Sequence, residues 1–304
     1  MYDLIIIGGG PAGLTAGLYT ARARLNVVLL EMLAPGGQVL TTDWVENYPG
    51  FPDGVSGFEL MDKMKTQAEK FGLTIKNEEV IRLELSGDNK IITTNKGTME
   101  TRAVLLTGGA TWKKLDIEGE TLLTGRGVSY CATCDGPFYT DQPVAVIGGG
   151  DTAVEEALFL TRFASHIYLV HRRDQLRAIK LLQERAMEAE KIEFLWDTVP
   201  LKIIGDDGVE GIELKNVKTG KINRRDVQGV FIFIGTQPNT DIVKGLVDLD
   251  ENGFIKTDNH METSVPGVFA AGDIRSKLFR QIATAVGEGA AASYSVERYL
   301  ENLA

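Results

Sequence analysis

The feature that most restricts the fold is an internal repeat. Shifted by 140 residues, the chain aligns Ile7-Gly8-Gly9-Gly10 with Ile147-Gly148-Gly149-Gly150, with no gap over the twenty residues that follow. A short apolar run precedes each glycine cluster, Leu4 to Ile7 and Val144 to Ile147. An alanine-rich segment of helical period follows, Ala12 to Ala23 and Thr152 to Phe163, and then a second apolar run, Val27 to Leu30 and Ile167 to Val170. Each copy therefore reads as strand, glycine turn, helix, strand.

The glycines are spaced G-x-G-x-x-G in the first copy (Gly8, Gly10, Gly13) and G-x-G-x-x-A in the second (Gly148, Gly150, Ala153). The first glycine permits the turn, the second admits a pyrophosphate close to the backbone, and the third small residue lets helix pack on strand. Pro11 and Ala12, and Asp151 and Thr152, open the two helices at the same turns. One such spacing is a weak signal. Two in-phase copies in strand–helix context predict two dinucleotide sites.

The second strand of each copy ends differently. The first carries Glu31, 18 residues beyond Gly13, placed to accept hydrogen bonds from ribose hydroxyls. The second carries His171, then Arg172 and Arg173, with Arg177 expected one helical turn further. Guanidinium groups bind a 2′-phosphate bidentately where a carboxylate would repel it, so the second site is expected to prefer NADPH over NADH.

At 304 residues the chain has room for about two domains. Hydrophobic residues at 43% and charged residues at 24% place it among globular proteins. With 42 acidic and 32 basic residues the net charge is −10, which argues against nucleic acid or anionic lipid as a partner. No cationic leader precedes the first apolar run, and no run approaches the roughly 20 residues of a membrane span, so no membrane association and a cytoplasmic location are expected.

Between the first copy and position 130 lies a long loop, Met32 to Gly57, holding Gly36-Gly37-Gln38 and Asn47; loops of this length inside a domain are usually functional. A helix is expected over Phe58 to Phe71, and strands near Val80 to Leu85, Lys90 to Thr94 and Ala103 to Thr107. Past the second copy, runs at Leu201 to Ile204, Val209 to Val217 and Val230 to Ile234 lead to Gly235-Thr236-Gln237-Pro238. The last segment offers one strand, Val268 to Ala271, ended by Gly272-Asp273, and a helix from about Arg280 to Tyr299. It is too small to be an α/β domain of its own. It is expected to complete the first domain's sheet, giving an α/β chain of two Rossmann-like domains with the second inserted into the first: 1–113, 114–237 and 238–304.

The only two cysteines are Cys131 and Cys134. A bridge across three residues closes too small a loop to staple a fold, so redox chemistry or metal binding is indicated. Zinc would need four ligands, yet there is no second C-x-x-C, and His166, His171 and His260 lack finger spacing. No metal is expected. A reversible disulfide fits better. Asp135 follows directly; it either carries a proton to or from a thiolate or serves plain turn chemistry in Cys-Asp-Gly-Pro.

Tyr130-Cys131-Ala132-Thr133-Cys134-Asp135-Gly136, Gly148-Gly149-Gly150-Asp151-Thr152-Ala153-Val154-Glu155-Glu156, His171-Arg172-Arg173 with Arg177, Ala270-Ala271-Gly272-Asp273 and Arg280-Gln281 together resemble the low-molecular-weight, bacterial-type thioredoxin reductases over essentially the whole chain. The resemblance implies FAD on the first and last segments, NADPH on the inserted domain, thioredoxin as electron acceptor, and a homodimer. It also implies that Gly36, Gly37, Gln38 and Asn47 lie along the flavin, Asp273 on its ribityl-phosphate side, and Arg280, Gln281 and Ala283 near the isoalloxazine. Gly108 and Gly235 join the cofactor-binding set. Thr107-Gly108-Gly109-Ala110 departs from the family's more usual Ala-Thr-Gly-Ala, which blurs the backbone amide that faces the cofactor. By the same resemblance Cys134 exchanges electrons with the flavin and Cys131 attacks thioredoxin. Crowding at the flavin, in line with the resemblance, leads one to expect the inserted domain to rotate on its connections near 112–114 and 235–239. Arg126 and Phe138 are candidate thioredoxin anchors by residue type, with Phe138 as a core residue the open alternative. Two alternatives stay open: a flavin disulfide reductase with another electron donor or protein acceptor, and a nucleotide-binding redox sensor without turnover.

Overall fold

A computed structural model describes every residue except Asp43, Glu46 and Ala304. The chain divides into two compact units, Met1–Thr111 with Gln237–Ala304, and Trp112–Thr236. In the first, β1 (Tyr2–Ile7), α1 (Pro11–Arg22) and β2 (Val27–Glu31) form the first copy of the repeat. Proline at the first helical position suits α1, because its missing N–H has no intrahelical partner there. After a 3-10 turn, Gly37–Thr41, come α2 (Gly57–Lys70), begun by Ser56 accepting the Glu59 amide, and β3 (Thr74–Asn77). An antiparallel run follows: β4 (Val80–Ser86), β5 (Asn89–Thr94) and β6 (Gly97–Leu106). The long β6 serves both parts of the sheet. Its first half pairs with β5, and its apolar second half lies parallel to β1, Ile7 opposite Leu106.

The chain leaves this unit through β7 (Ala110–Trp112). The second unit begins with short elements, α3 (Glu120–Leu123), β8 (Val128–Ser129) and α4 (Ala132–Asp135), and then gives the second copy of the repeat as β9 (Pro143–Gly148), α5 (Asp151–Leu160) and β10 (His166–Val170). Next come α6 (Lys180–Glu188), β11 (Ile192–Leu195), a meander of β12 (Thr198–Ile204), β13 (Gly211–Asn216) and β14 (Ile222–Arg225), then β15 (Gly229–Phe233) and β16 (Thr236–Pro238). The order β11-β10-β9-β15-β8 makes a five-stranded parallel sheet. Ile147 lies opposite Val170, as Ile7 lies opposite Leu30, so strand register repeats at the same shift of 140 residues as the sequence.

After the return, β17 (Val268–Ala270) pairs in parallel with the second half of β6, and α7 (Ile282–Asn302) lies against α1. The final segment therefore adds a strand and a covering helix to the first sheet. The α1–α7 seam is lined by small residues, among them Ala12, Ala16, Ala285 and Ala292; a Cβ on Gly289 would lie 2.3 Å from the Ala12 carbonyl oxygen. No helix among the described residues is long and apolar enough to cross a membrane.

Candidate active site

In the first glycine turn, Gly8 has φ +108°, and a Cβ on Gly13 would lie 2.0 Å from the Gly8 carbonyl oxygen, so only glycine suits either position. Gly10 differs. It precedes α1 without any side-chain cap, and no atom lies within 4 Å of where its Cβ would be. The mouth of the turn is thus open, with helix amides and the positive end of α1 turned toward it. Glu31 closes one side: its carboxylate accepts the Gly9 amide at 2.7 Å and the Leu33 amide at 3.0 Å.

Of the other residues picked out in this unit, Gly36, Gly37 and Gly272 lie against the turn or the start of α1, and the rest make contacts of their own. Gly36 donates its amide to the Gly9 carbonyl at 2.8 Å, and Gly37 packs on the Cα of Gly10, so the long loop folds back over the turn. Gln38 donates to the Ala110 carbonyl. Asn47 donates to the Gln281 side chain at 3.1 Å, and Gln281 caps α7 in a reciprocal box with Thr284. The Gly108 carbonyl accepts from Asn239 at 2.7 Å. Gly272 sits close to Ala12, with Asp273 beside it. Ala283 is exposed in the first turn of α7. Arg280 lies at 4.1 Å over the Phe254 ring, and its guanidinium faces the carbonyls of Asp273, Lys277 and Arg275, tying down the loop that carries Asp273.

The second unit repeats the arrangement. Gly150 precedes α5 with open space at its Cβ position and no side-chain cap, Asp151 accepts the Ile179 amide at 2.8 Å, and Thr152 is exposed. His171 takes the place of Glu31, and its ring lies so near Gly149 that a Cβ there would be 2.2 Å from Nδ1. Burial, ahead of the neighbouring Arg177 charge, holds the imidazole below its usual range and keeps it neutral. Arg172, Arg173 and Arg177 are exposed, and none takes part in an ion pair among the described residues. One expectation is corrected: Arg177 does not lie a helical turn beyond the strand. Residues 172–175 are bends and helix begins only at Lys180, because the amides of Arg177 and Ala178 both donate to the Gly149 carbonyl and draw the segment back over the glycine turn. Gly235 lies two residues beyond Phe233, which is opposite Gly148, and its carbonyl accepts the Lys113 amide.

Cys131 and Cys134 are joined by a disulfide within the same unit, Cys131 preceding α4 and Cys134 within it. Ser129, buried at the end of β8, organises this turn: its hydroxyl donates to Asp135 Oδ2 at 2.5 Å and accepts the Cys131 amide at 3.1 Å. Asp135 is thereby fixed beside the disulfide. Burial, and then the Asp135 charge, push Tyr139 up to about 12. Behind the turn, Glu156 on α5 is drawn down by the amides of Ala132 and Thr133, yet burial outweighs them and raises its carboxyl above the usual range. Ser129 carried no recognisable sequence signal. Neither did Arg275, Lys277 and Glu288, which surround Asp273. No group of three or more His, Cys, Asp or Glu side chains among the described residues is placed to hold a metal.

Two sheets built on parallel strand–helix–strand cores, each with an open glycine turn, and a disulfide carried by one of the two units define a nucleotide-dependent disulfide oxidoreductase architecture. The model of one family, the pyridine nucleotide-disulphide oxidoreductases, matches residues 2–289, and the chain belongs to that family. A thioredoxin reductase of Streptomyces coelicolor is 48% identical, covering 99% of this chain and 94% of the relative. One from Listeria monocytogenes is 45% identical, covering 100% and 95%. Among solved structures, a thioredoxin reductase from Streptococcus pyogenes matches at 50% identity with a TM-score of 0.95 over 99% of both chains.

Proposed function

We propose that this chain is an NADPH-dependent thioredoxin reductase that holds FAD in the first unit and NADPH in the second. The observation that carries the reading is the placement of the Cys131–Cys134 disulfide in the same unit as the arginine-flanked glycine turn, with a second open turn, ended by a carboxylate, in the other unit. The relatives named thioredoxin reductase match over nearly their full length, which supports the same acceptor. Cytoplasmic location and a homodimer belong to the proposal.

The residues fit both cofactors. The uncapped α1 and the empty space at Gly10 admit a pyrophosphate, and the exposed side of Glu31 can accept ribose hydroxyls. In the second unit, Gly150, the start of α5 and the three free guanidinium groups suit a nucleotide bearing a 2′-phosphate. Bound in the first unit, a flavin supplies two-electron transfer between a nicotinamide and the disulfide. The chain's own contribution lies in thiol chemistry. Two-electron reduction breaks the Cys131–Cys134 bond. The Cys131 thiolate attacks one sulfur of the thioredoxin disulfide, and the displaced thiolate takes a proton. Cys134 then attacks the Cys131 sulfur, releasing reduced thioredoxin and restoring the original bond. Asp135, held by Ser129, is the proton carrier for these steps. Rotation of the inserted unit on its two connections would expose Cys131 to so large a substrate, with Arg126 and the half-exposed Phe138 as contacts.

The test is capture. Cys134→Ser, reduced and mixed with oxidised thioredoxin, should accumulate a disulfide-linked complex through Cys131, since the resolving sulfur is missing. Absence of that complex, with Cys131 shown to be reduced, would reject the proposed roles.

A further inference from the structure

The second open turn accounts for the arginines and the first for Glu31, but a buried group of four charges beside Asp273 is left without a role. Lys277 Nζ lies 3.0 Å from Asp273 Oδ1 and 3.4 Å from Glu288 Oε1. Arg275 Nη1 lies 3.1 Å from the same Glu288 oxygen. Glu288 Oε2 accepts the Gly272 amide at 2.7 Å, and Arg275 Nε donates to Thr257 at 2.7 Å. The side chains of Lys277, Arg275 and Glu288 are 8%, 11% and 15% exposed, whereas that of Asp273 is 35% exposed. Two cations and two anions meet here, with the Arg280 guanidinium adding positive charge toward Asp273 and Glu288, and the aspartate is the most exposed member.

A buried quartet of this kind is a poor way to gain stability, because desolvating each ion costs about what the pairing returns; what it provides is a fixed geometry. That geometry converges on the Gly272–Asp273 turn. Glu288, projecting from α7, accepts the Gly272 amide; Lys277 stands at ion-pair distance from the buried Oδ1 of Asp273, which has no hydrogen-bond partner among the described residues, and leaves the other oxygen toward solvent. Gly272 in turn lies against Ala12, in the first turn of α1 at the open glycine mouth. A carboxylate oxygen held beside a pyrophosphate-type site is suited to accept a hydroxyl of the bound nucleotide. Left unpaired, Asp273 would swing toward water and pay an ordering cost on binding.

We propose that Lys277, locked between Asp273 and Glu288, is a positioning residue that presets Asp273 for the dinucleotide of the first unit. This rests on the reading of that unit as an FAD site. Lys277 does not touch the cofactor; it acts through the aspartate, and Glu288 fixes Lys277 and the turn together.

The experiment measures FAD affinity of the full-length protein after flavin removal, by quenching of flavin fluorescence, alongside the melting temperature of the flavin-free form. Lys277→Met is expected to weaken FAD about tenfold and, because it leaves the buried carboxylates one cation short, to lower the flavin-free melting temperature as well, whereas Lys277→Arg should restore most of the affinity. Asp273→Asn should weaken FAD to a similar degree, and the double variant should be no worse than Asp273→Asn alone, because the lysine has nothing left to position. Should Lys277→Met not fold, Glu288→Gln carries the same comparison. Wild-type affinity in Lys277→Met, or losses that simply add in the double variant, would overturn the proposal. A wild-type protein that takes up no FAD would instead reject the reading of the site itself.

Discussion

The two copies of the repeat differ at one small residue, Gly13 against Ala153, and the structure attaches a sign to exchanging them. In Gly13→Ala two effects oppose. Alanine favours helix over glycine by up to about 1 kcal/mol. Against this, the new Cβ would lie 2.0 Å from the Gly8 carbonyl oxygen and 2.8 Å from Thr107 Oγ1, where real contacts essentially never fall below 3.0 Å. Both neighbours are fixed, since the Thr107 hydroxyl donates to the Gly8 carbonyl at 2.8 Å and faces the Ile7 carbonyl at 3.0 Å. Helix α1 must therefore retreat by about 1 Å from β1, an overpacking cost of roughly 1–3 kcal/mol, plus about 1 kcal/mol for the strained Thr107 bond. The clash outweighs the propensity gain, and a net loss of about 1–3 kcal/mol should lower the melting temperature by roughly 2–10 °C. The retreat also deforms the open mouth, so bound flavin should fall with it. The reciprocal Ala153→Gly removes a fully buried methyl and should cost about 1–2 kcal/mol. Thermal melts and flavin absorbance of the purified variants read both quantities. A Gly13→Ala protein that melts at or above wild type with full flavin would refute the close-approach argument.

Replacing Arg172 and Arg173 together by alanine should raise the KM for NADPH at least tenfold, about 1.5–3 kcal/mol per charge-assisted contact, and erase most of the preference over NADH. Stability should stay within about 0.5 kcal/mol, because both side chains are exposed and outside any described ion pair; an unchanged NADPH/NADH ratio would move the 2′-phosphate site elsewhere. His171 makes a pH prediction. Its folded pKa lies below 6.5, so the unfolded chain binds the proton first, and stability present above pH 6.5 should be lost as pH falls below it. His171→Asn should flatten the melting temperature between pH 7.5 and 5.5 relative to wild type, and equal slopes would show that His171 is not the group responsible.

Much of this was legible in the sequence, for a local reason. The Gly8–Gly13 and Gly148–Ala153 turns, Glu31, and the strands beside them are read from spacing and hydrophobic period, which act over a few residues, and the register repeats at the same interval. What escaped depended on distant partners. β3 (Thr-Ile-Lys-Asn) and β11 (Ile-Glu-Phe-Leu) are four residues each and are strands only because β2 and β10 offer parallel edges. The first half of β6, Gly97 to Arg102, is too polar to read as strand alone and is held by β5. The segment after His171 reads as a helix start until Gly149 captures two of its amides. Asp135 was recognisable beside the cysteines, but Ser129, which orients it, looks like any serine ending a strand. Glu288 reaches the Gly272–Asp273 turn only because α7 returns beside α1.

The central claim is that electrons from NADPH leave this chain through Cys131 and Cys134 to thioredoxin. Its most direct test follows NADPH absorbance in the flavin-loaded protein, with oxidised thioredoxin present at catalytic amounts and a general disulfide added to recycle it. Steady NADPH consumption that requires thioredoxin, appears with an equivalent yield of thioredoxin thiols, and disappears in a flavin-loaded Cys131→Ser/Cys134→Ser variant is the predicted result. Flavin-loaded wild-type protein that is reduced by NADPH yet passes no electrons to thioredoxin, or a double variant that turns over as wild type does, would contradict the account.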